Sequence, residues 1–211
     1  MNEDGSNVRL VAPGGSSPAW SPDAQRLAVA TRFGGGQNIA VVTVDATMAS
    51  PVRVGFDRGW HAWPTWSPDG SPVAFTSDAT ADDFAFQGFV VDREGRSRDQ
   101  RTNGFSDGVE TWPSWSTYSQ PAWSPDGTRL ALTQCPGRQS TNCGVSALVV
   151  TNADGTGTVR LSATQGYIRP TWSPNGKWIT FDAPSGIRFS SADGLEQGML
   201  IPNASSATWR P

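Results

Sequence analysis

Short stretches of alternating apolar and polar residues recur along the chain, and turn-forming residues separate them. One set of stretches has the two-residue period of a half-buried strand and comprises residues 26–30, 72–76, 129–133 and 177–181. A second apolar stretch follows each of these, at residues 39–44, 88–91, 147–151 and 187–190. The pattern predicts pairs of adjacent strands and an all-β fold.

A turn motif precedes each pair of strands. It reads Pro-x-Trp-Ser-Pro-Asp or Pro-x-Trp-Ser-Pro-Asn, usually followed by Gly, and its copies begin at Pro18, Pro64, Pro121 and Pro170. Pro fixes φ, the Asp side chain accepts hydrogen bonds from the local backbone, and Gly permits a positive φ. The Pro-x-Trp-Ser stretch is predicted to be a short first strand whose Trp wedges between neighbouring sheets. These structural roles are assigned to Trp20, Trp66, Trp123, Trp172, Trp209, Asp23, Asp69 and Asp126.

The spacing of the motif predicts the size of the repeating unit. The repeat Trp residues lie 46, 57, 49 and 37 positions apart, and a period of about 45 residues is typical of a four-stranded propeller blade. A second turn follows the third strand at residues 92–95, 152–155 and 191–194, and a short fourth strand follows it, as at residues 159–161. Each repeat therefore supplies four strands.

This order of motif, strands and second turn resembles the TolB-type β-propeller repeat, a WD40-like unit that also occurs in propeller domains of some prolyl peptidases. The resemblance covers nearly the whole chain and implies a single β-propeller domain over residues 1–211. Its repeats run at about 18–63, 64–120, 121–169 and 170–211, and residues 1–17 supply an outer strand that completes a blade.

The repeat count leaves the closure of the ring open. Residues 8–11 read as a fourth strand with nothing before it, and the partial copy at Trp209 reads as a first strand with nothing after it. We favour four complete four-stranded blades that close as a compact propeller, with the terminal strands adding to the closure. The alternatives are an arc of a larger five- or six-bladed propeller and a ring of five sectors with one two-stranded blade.

Composition narrows the function. The net charge of −3 argues against a nucleic-acid partner, and no apolar run is long enough to span a membrane. His61 is the single histidine, and the chain has no Gly-x-Ser-x-Gly elbow. Turn capping explains the recurrent Asp residues without a calcium ion. We therefore expect no catalysis, no cofactor and no metal.

The two cysteines indicate a compartment. Cys135 and Cys143 flank a seven-residue segment between the second and third strands of the third repeat. A disulfide between them would close one surface hairpin, and disulfides form in oxidising surroundings, which favours a periplasmic or extracellular location. The alternative is a pair of unbridged thiols.

Aromatic residues outside the repeat motif mark a candidate binding face. In a propeller, the loop before each first strand lies on the same face as the loop between the second and third strands. Trp115 follows Trp66 by 49 residues and Trp123 follows eight later, so the long third spacing contains an aromatic insertion. The candidate partner-binding residues are Trp60, His61, Trp112, Trp115, Tyr118, Tyr167 and Arg169.

Aromatic residues on loops fit a protein hot spot or a stacked sugar. For Trp63 and Trp112, a place in the central channel of a small ring is the competing interpretation. The leading function is a protein-interaction module. A carbohydrate-binding, lectin-like propeller is the first alternative, and the propeller portion of a larger peptidase-like enzyme is the second.

Overall fold

A computed structural model describes residues 10–33, 36–44, 51–55, 59–78, 87–95, 98–100, 117–135, 146–164 and 168–209. Within these ranges the secondary structure is β-strand and turn, without a helix. The strands are β1 (Ser16–Trp20), β2 (Arg26–Phe33), β3 (Gly36–Thr43), β4 (Val52–Arg53), β5 (His61–Trp66), β6 (Pro72–Ser77), β7 (Gln87–Asp92), β8 (Arg98–Gln100), β9 (Thr117–Trp123), β10 (Arg129–Cys135), β11 (Ser146–Asn152), β12 (Val159–Thr164), β13 (Thr171–Trp172), β14 (Trp178–Ala183), β15 (Gly186–Ser191) and β16 (Gln197–Pro202).

These strands form four antiparallel sheets of four strands each, in which neighbours along the chain are neighbours in the sheet. We call them blade 1 (β1–β4), blade 2 (β5–β8), blade 3 (β9–β12) and blade 4 (β13–β16). Trp20, Trp66, Trp123 and Trp172 each end a first strand, and the second strand begins after the turn. The expectation of an all-β fold with four complete blades is confirmed.

Small residues on one blade pack against large ones on the next. Ala28 of blade 1 shares a buried cluster with Phe75 of blade 2. Ala74 on the opposite side of blade 2 lies with Leu132 of blade 3, and Ala131 of blade 3 packs in a cluster with blade 4. Successive residues of a strand point to opposite sides of the sheet. The middle strands of blades 2 and 3 therefore each contribute to two interfaces between blades.

The expected closure of four blades on themselves is not seen in the described ranges. The buried clusters there join blade 1 to blade 2, blade 2 to blade 3 and blade 3 to blade 4, and none joins blade 4 to blade 1. Trp20 of blade 1 is 57% exposed, whereas Trp172 of blade 4, which packs on blade 3, is 6% exposed. In the described ranges the four blades therefore form an open series, in which no blade packs on the outer side of blade 1.

The described residues of the two partial strands expected at the ends are not in strands. Residues 10 and 11 lie outside any strand, and residues 203–209 follow an irregular path after β16. The other residues of the predicted N-terminal strand, 8 and 9, lie outside the described ranges. A strand is defined by pairing with a neighbour, and neither described segment has a partner strand here.

Candidate functional site

The repeated turn is held by a fixed set of hydrogen bonds, seen most fully after β9. Ser124 Oγ donates to Asp126 Oδ1 at 2.6 Å and accepts from Arg129 N at 2.9 Å. Asp126 Oδ1 also accepts from Thr128 N at 3.0 Å and from Thr128 Oγ1 at 2.8 Å. The bond from the Ser124 hydroxyl, followed by those from Thr128, lowers the pKa of Asp126 to about 2. This carboxylate closes a turn.

The same bonds recur in the other copies. The neighbouring Ser hydroxyl lowers the pKa of Asp23 and of Asp69. In blade 4 the position is Asn175, whose Oδ1 accepts from Ser173 Oγ at 2.7 Å and from Lys177 N at 3.1 Å. A neutral amide oxygen makes the same two bonds. The geometry gives these side chains a structural role.

The repeat Trp residues link each first strand to the one before it. Each indole Nε1 donates to the backbone carbonyl of the residue that precedes the previous repeat Trp. The pairs are Trp66 to Ala19 at 3.0 Å, Trp123 to Thr65 at 3.4 Å, Trp172 to Ala122 at 3.1 Å and Trp209 to Thr171 at 3.2 Å. The indole rings therefore combine burial between blades with a directional bond that fixes blade register.

Trp60 is the described candidate that stands at the surface on a fixed backbone. It is 51% exposed and directly precedes β5. Its backbone N–H donates to Asp78 Oδ1 at 2.6 Å, and its carbonyl accepts from Asp78 N at 3.3 Å. Asp78 directly follows β6, so the loop entering blade 2 and the loop after its second strand meet here, as expected for one face of a propeller.

His61 is an interior residue, which corrects its expected place on the binding face. Its side chain is fully buried, with Nδ1 2.6 Å from Ser77 Oγ and the ring edge-on to Phe75 at 5.6 Å between centroids. The residue begins β5, where the two-residue alternation turns its side chain inwards beside the exposed Trp60. The buried imidazole thus fixes the start of β5, the strand that directly follows Trp60.

Arg169 links strand β14 of blade 4 to the segment that follows β16. Its Nε lies 3.2 Å from Asp182 Oδ2, and its Nη1 donates to Ser206 Oγ at 3.1 Å. Asp182 Oδ1 also accepts from Ser206 N at 2.8 Å. Although the Arg169 side chain is largely exposed, these bonds hold it against Asp182 and the segment after β16. It therefore does not extend freely into the predicted binding face.

A family model described as the TolB beta propeller domain matches residues 6–181. The chain belongs to this family. The match covers the described blades from β1 into β14, and the repeat motif is the sequence basis of the resemblance.

Solved structures of the same fold include TolB proteins and an enzyme. TolB from Acinetobacter baumannii matches with a TM-score of 0.66 at 22% identity, over 87% of this chain and 42% of that one. The putative TolB from Agrobacterium tumefaciens matches with a TM-score of 0.67 at 20% identity, over 90% of this chain and 62% of that one. A puromycin-hydrolysing peptidase of Mycobacterium tuberculosis matches with a TM-score of 0.66 at 17% identity, over 95% of this chain and 31% of that one.

These identities show a shared fold alone. The chain spans less than two thirds of the length of each of these three proteins. The part of the TolB-type chain that the structure describes contains no helix able to cross a membrane. In the same ranges no three His, Cys, Asp or Glu side chains are grouped as metal ligands would be.

Several predicted site residues lie wholly or partly outside the described residues. Trp112, Trp115 and Tyr167 lie outside the described residues, and Tyr118 is described only as a backbone position of β9. Cys135 is buried on β10, with its Sγ 3.9 Å from Ser146 Oγ. Cys143 lies outside the described residues, so the disulfide stays a prediction.

Sequence reasoning missed a bulge three residues before the repeat Trp. Ser17, Trp63 and Gln120 have φ values of 49°, 52° and 53°, and the pairing register of the first strand shifts at each of them. A bulge of this kind bends a strand and redirects the side chain. Ser, Trp and Gln share no side-chain chemistry, so the position carries no residue signal apart from the Pro that follows each of them.

Proposed function

We propose that this TolB-type propeller is a non-catalytic module that binds a protein partner through the face that carries Trp60. The supporting observation is the presentation of this indole. It is half exposed, while Asp78 holds its backbone on one side and the buried His61 follows it directly. An aromatic side chain on a rigid support loses little conformational entropy on binding, which is typical of interface hot spots.

The predicted aromatic residues of the neighbouring loops extend this proposed face. Along the chain Trp112 and Trp115 precede the first strand of blade 3 and Tyr167 precedes that of blade 4, as Trp60 precedes that of blade 2, while Tyr118 lies at the start of β9. A Cβ added at Gly36, the first residue of β3, would lie 3.2 Å from Gly59 O, so the start of β3 in blade 1 lies beside the residue that precedes Trp60. This proximity supports a face shared by blades 1 and 2.

Site-directed photocrosslinking tests the proposal. A photoreactive aromatic residue at position 60 should yield a protein adduct in cells of the source organism, and one at Val159 should not. Val159 is also 51% exposed but lies on the outer strand β12, which makes it a matched control. With the partner identified, Trp60→Ala should weaken binding by about tenfold or more, as for a hot-spot aromatic, and Val159→Ala should not. Equal adducts at both positions, or unchanged binding by Trp60→Ala, would contradict the proposal.

A sugar ligand is the second candidate, because an exposed indole can also stack on a pyranose ring. A glycan array, followed by quenching of Trp fluorescence with the sugar that the array selects, distinguishes a sugar ligand from a protein partner. Saturable quenching that Trp60→Ala abolishes, without a protein adduct, favours the lectin-like function.

The third candidate, a propeller portion of a larger peptidase-like enzyme, rests on the fold shared with the puromycin-hydrolysing peptidase.

The proposed location is the periplasm or the cell exterior. It rests on the predicted bridge between Cys135 and Cys143, since such bonds persist in oxidising compartments, and on the family resemblance. Cell fractionation combined with thiol alkylation before reduction provides the test. Cytoplasmic recovery with two alkylated thiols would contradict both the location and the bridge.

A further inference from the structure

The turns that follow the first strands pack on one another in the same way at each interface between consecutive blades. A Cβ added to the turn Gly of one blade would lie 3.6 or 3.7 Å from Cδ of the turn Pro of the blade before it. The pairs are Gly70 with Pro22, Gly127 with Pro68 and Gly176 with Pro125. These turns lie on the face opposite to Trp60, which precedes β5, whereas the turn of blade 2 follows β5. The three interfaces can therefore be compared position by position.

Between blades 3 and 4, the residue that begins the second strand covers the repeat Trp. Arg129 begins β10, and its guanidinium carbon lies 4.8 Å from the centre of the Trp172 ring. Its Nη1 donates to Ala192 O, in the second turn of blade 4, at 3.3 Å. Trp172 is 6% exposed. The aromatic face and the backbone carbonyl of the next blade thus form a site for a guanidinium group.

The equivalent residue between blades 1 and 2 is also an arginine. Arg26 begins β2, and its Nη1 lies 3.7 Å from Oδ2 of Asp23, the turn carboxylate of its own blade. The Oδ1 atom of Asp23 accepts the turn bonds from Ser21 Oγ and Gln25 N. The repeat Trp at this interface, Trp66, is 6% exposed. A turn carboxylate can therefore pair with a guanidinium through one oxygen while the other closes the turn.

The interface between blades 2 and 3 has a proline at this position. Pro72 begins β6 and carries no cationic group. Trp123, the repeat Trp at this interface, is half-buried, whereas its counterparts at the other two interfaces are buried. In the described part of the chain a cleft of about 620 Å³ lies here, and Pro72, Trp123, Asp69 and Ala153 are among its lining residues. Pro in place of Arg thus leaves a cleft against the repeat Trp.

The cleft keeps the groups that hold a guanidinium at the neighbouring interfaces. The counterparts are Trp123 for Trp172, Ala153 for Ala192 and Asp69 for Asp23. Ala153 N and Ala192 N donate to equivalent carbonyls at 2.8 and 2.9 Å, and Asp69 closes its turn through Oδ1 as Asp23 does. Asp92 and Asp126 add two further carboxylates to the lining. An acidic cleft with an aromatic wall favours a planar cation.

We propose that the cleft between blades 2 and 3 binds an arginine side chain of a partner protein, in the position that Arg129 fills at the next interface. The guanidinium would stack on Trp123 and donate to Ala153 O and Asp69 Oδ2. Arginine suits the site better than lysine, because a planar guanidinium stacks on an aromatic face and donates to several acceptors at once. The net charge of −3 also favours a basic partner. The site is independent of the face that carries Trp60.

Titration of the isotope-labelled full chain with N-acetyl-arginine methylamide, followed by NMR, tests the proposal. The indole N–H resonance of Trp123, assigned by comparison with Trp123→Phe, should shift saturably. Pro72→Arg should abolish this shift, because the introduced guanidinium occupies the cleft as Arg129 occupies its counterpart. The citrulline and lysine analogues of the probe should bind about tenfold or more weakly, since citrulline lacks the charge and lysine the planar fork.

Two matched variants locate the charge that the probe requires. Asp69→Asn should weaken binding by about tenfold, the worth of one hydrogen bond to a charged group. The variant should keep its turn, because Asn175 accepts the same two bonds in blade 4. Asp23→Asn removes an equal charge at an interface that has its own arginine, so it should leave the affinity unchanged.

Four results would overturn the proposal. They are an unshifted Trp123 resonance, equal binding of the citrulline analogue, equal losses in Asp69→Asn and Asp23→Asn, and binding that survives Pro72→Arg. Tighter binding of free arginine than of the blocked probe would also overturn it, because the cleft would then suit a small molecule and not a side chain within a polypeptide. Trp60→Ala should bind the probe as the unmodified chain does, so this test and the photocrosslinking test fail separately.

Discussion

At the scale of single residues, the repeated turn shows which chemistry the fold requires. Asp23, Asp69 and Asp126 accept a Ser hydroxyl and a backbone N–H, and Asn175 does the same with an uncharged oxygen. The charge at the other three positions is therefore dispensable for turn geometry. It does, however, couple the stability of the turns to pH, because the same hydrogen bonds lower the pKa of each carboxyl.

Asp126→Asn should leave the fold intact and reduce its loss of stability in acid. The folded pKa of about 2 lies below the ordinary value of 3.8, so the ionised carboxylate favours the folded state. That contribution is fully present above about pH 4 and disappears as the pH falls through about 2. Urea unfolding followed by Trp fluorescence should show a shallower fall in the free energy of unfolding over this range.

Asp126→Ala is the control for this prediction. It removes the acceptor as well as the charge, so it should lower the free energy of unfolding by about 1–2 kcal/mol at neutral pH, the worth of one or two lost hydrogen bonds. If Asp126→Asn and Asp126→Ala unfold alike at neutral pH, the acceptor is not what holds the turn.

At the scale of the elements, the repeat Trp is the main link between consecutive first strands. Trp172 is buried, donates to Ala122 O, and lies beneath the Arg129 guanidinium at 4.8 Å from its ring centre. Trp20 occupies the same sequence position but is mostly exposed. The contribution of the repeat Trp to the free energy of unfolding therefore depends on whether a preceding blade packs against it.

Trp172→Ala should lower the free energy of unfolding by about 3–5 kcal/mol, the range for truncating a buried aromatic. Trp172→Phe should cost about 1–3 kcal/mol, because it keeps most of the ring and leaves the Ala122 carbonyl unpaired. Trp20→Ala should cost under about 1 kcal/mol, as exposed positions do. Urea unfolding measures all three, and equal losses for Trp20→Ala and Trp172→Ala would show that packing on the preceding blade does not set the effect.

At the scale of the whole molecule, the described parts of the blades form a linear series in which each blade contacts its neighbours. Blades 2 and 3 have buried clusters on both sides. Blades 1 and 4 instead have one side each covered by a short terminal segment. In such arrays the stability of a unit is approximately the sum of its own contribution and those of its interfaces.

Amide hydrogen exchange should therefore be slowest in β6, β7, β10 and β11 and fastest in β1 and β16. The physical reason is that opening an inner blade breaks two interfaces, whereas opening an end blade breaks one. Exchange followed by mass spectrometry of peptides from each blade gives the measurement. Uniform protection across the four blades would indicate a single cooperative unit instead.

The strands, the turns and the family could all be read from the chain, because they depend on residues close in sequence. The alternation in residues 72–76 predicts β6 whatever lies beside it, and the Ser-Pro-Asp-Gly turn is closed by its own side chains. Four repeats of this local order identify the TolB-type blade.

The packing of neighbouring blades decided which of these side chains are buried and which are exposed. Trp20 and Trp172 share one motif, yet one is exposed and the other buried. His61, adjacent to the exposed Trp60, faces inwards to Ser77. The sequence by itself determined which residues form each blade. Burial depends on what packs against a surface, so only the tertiary structure decided which blade sides are covered, which are open, and that residues 203–209 occupy one of them.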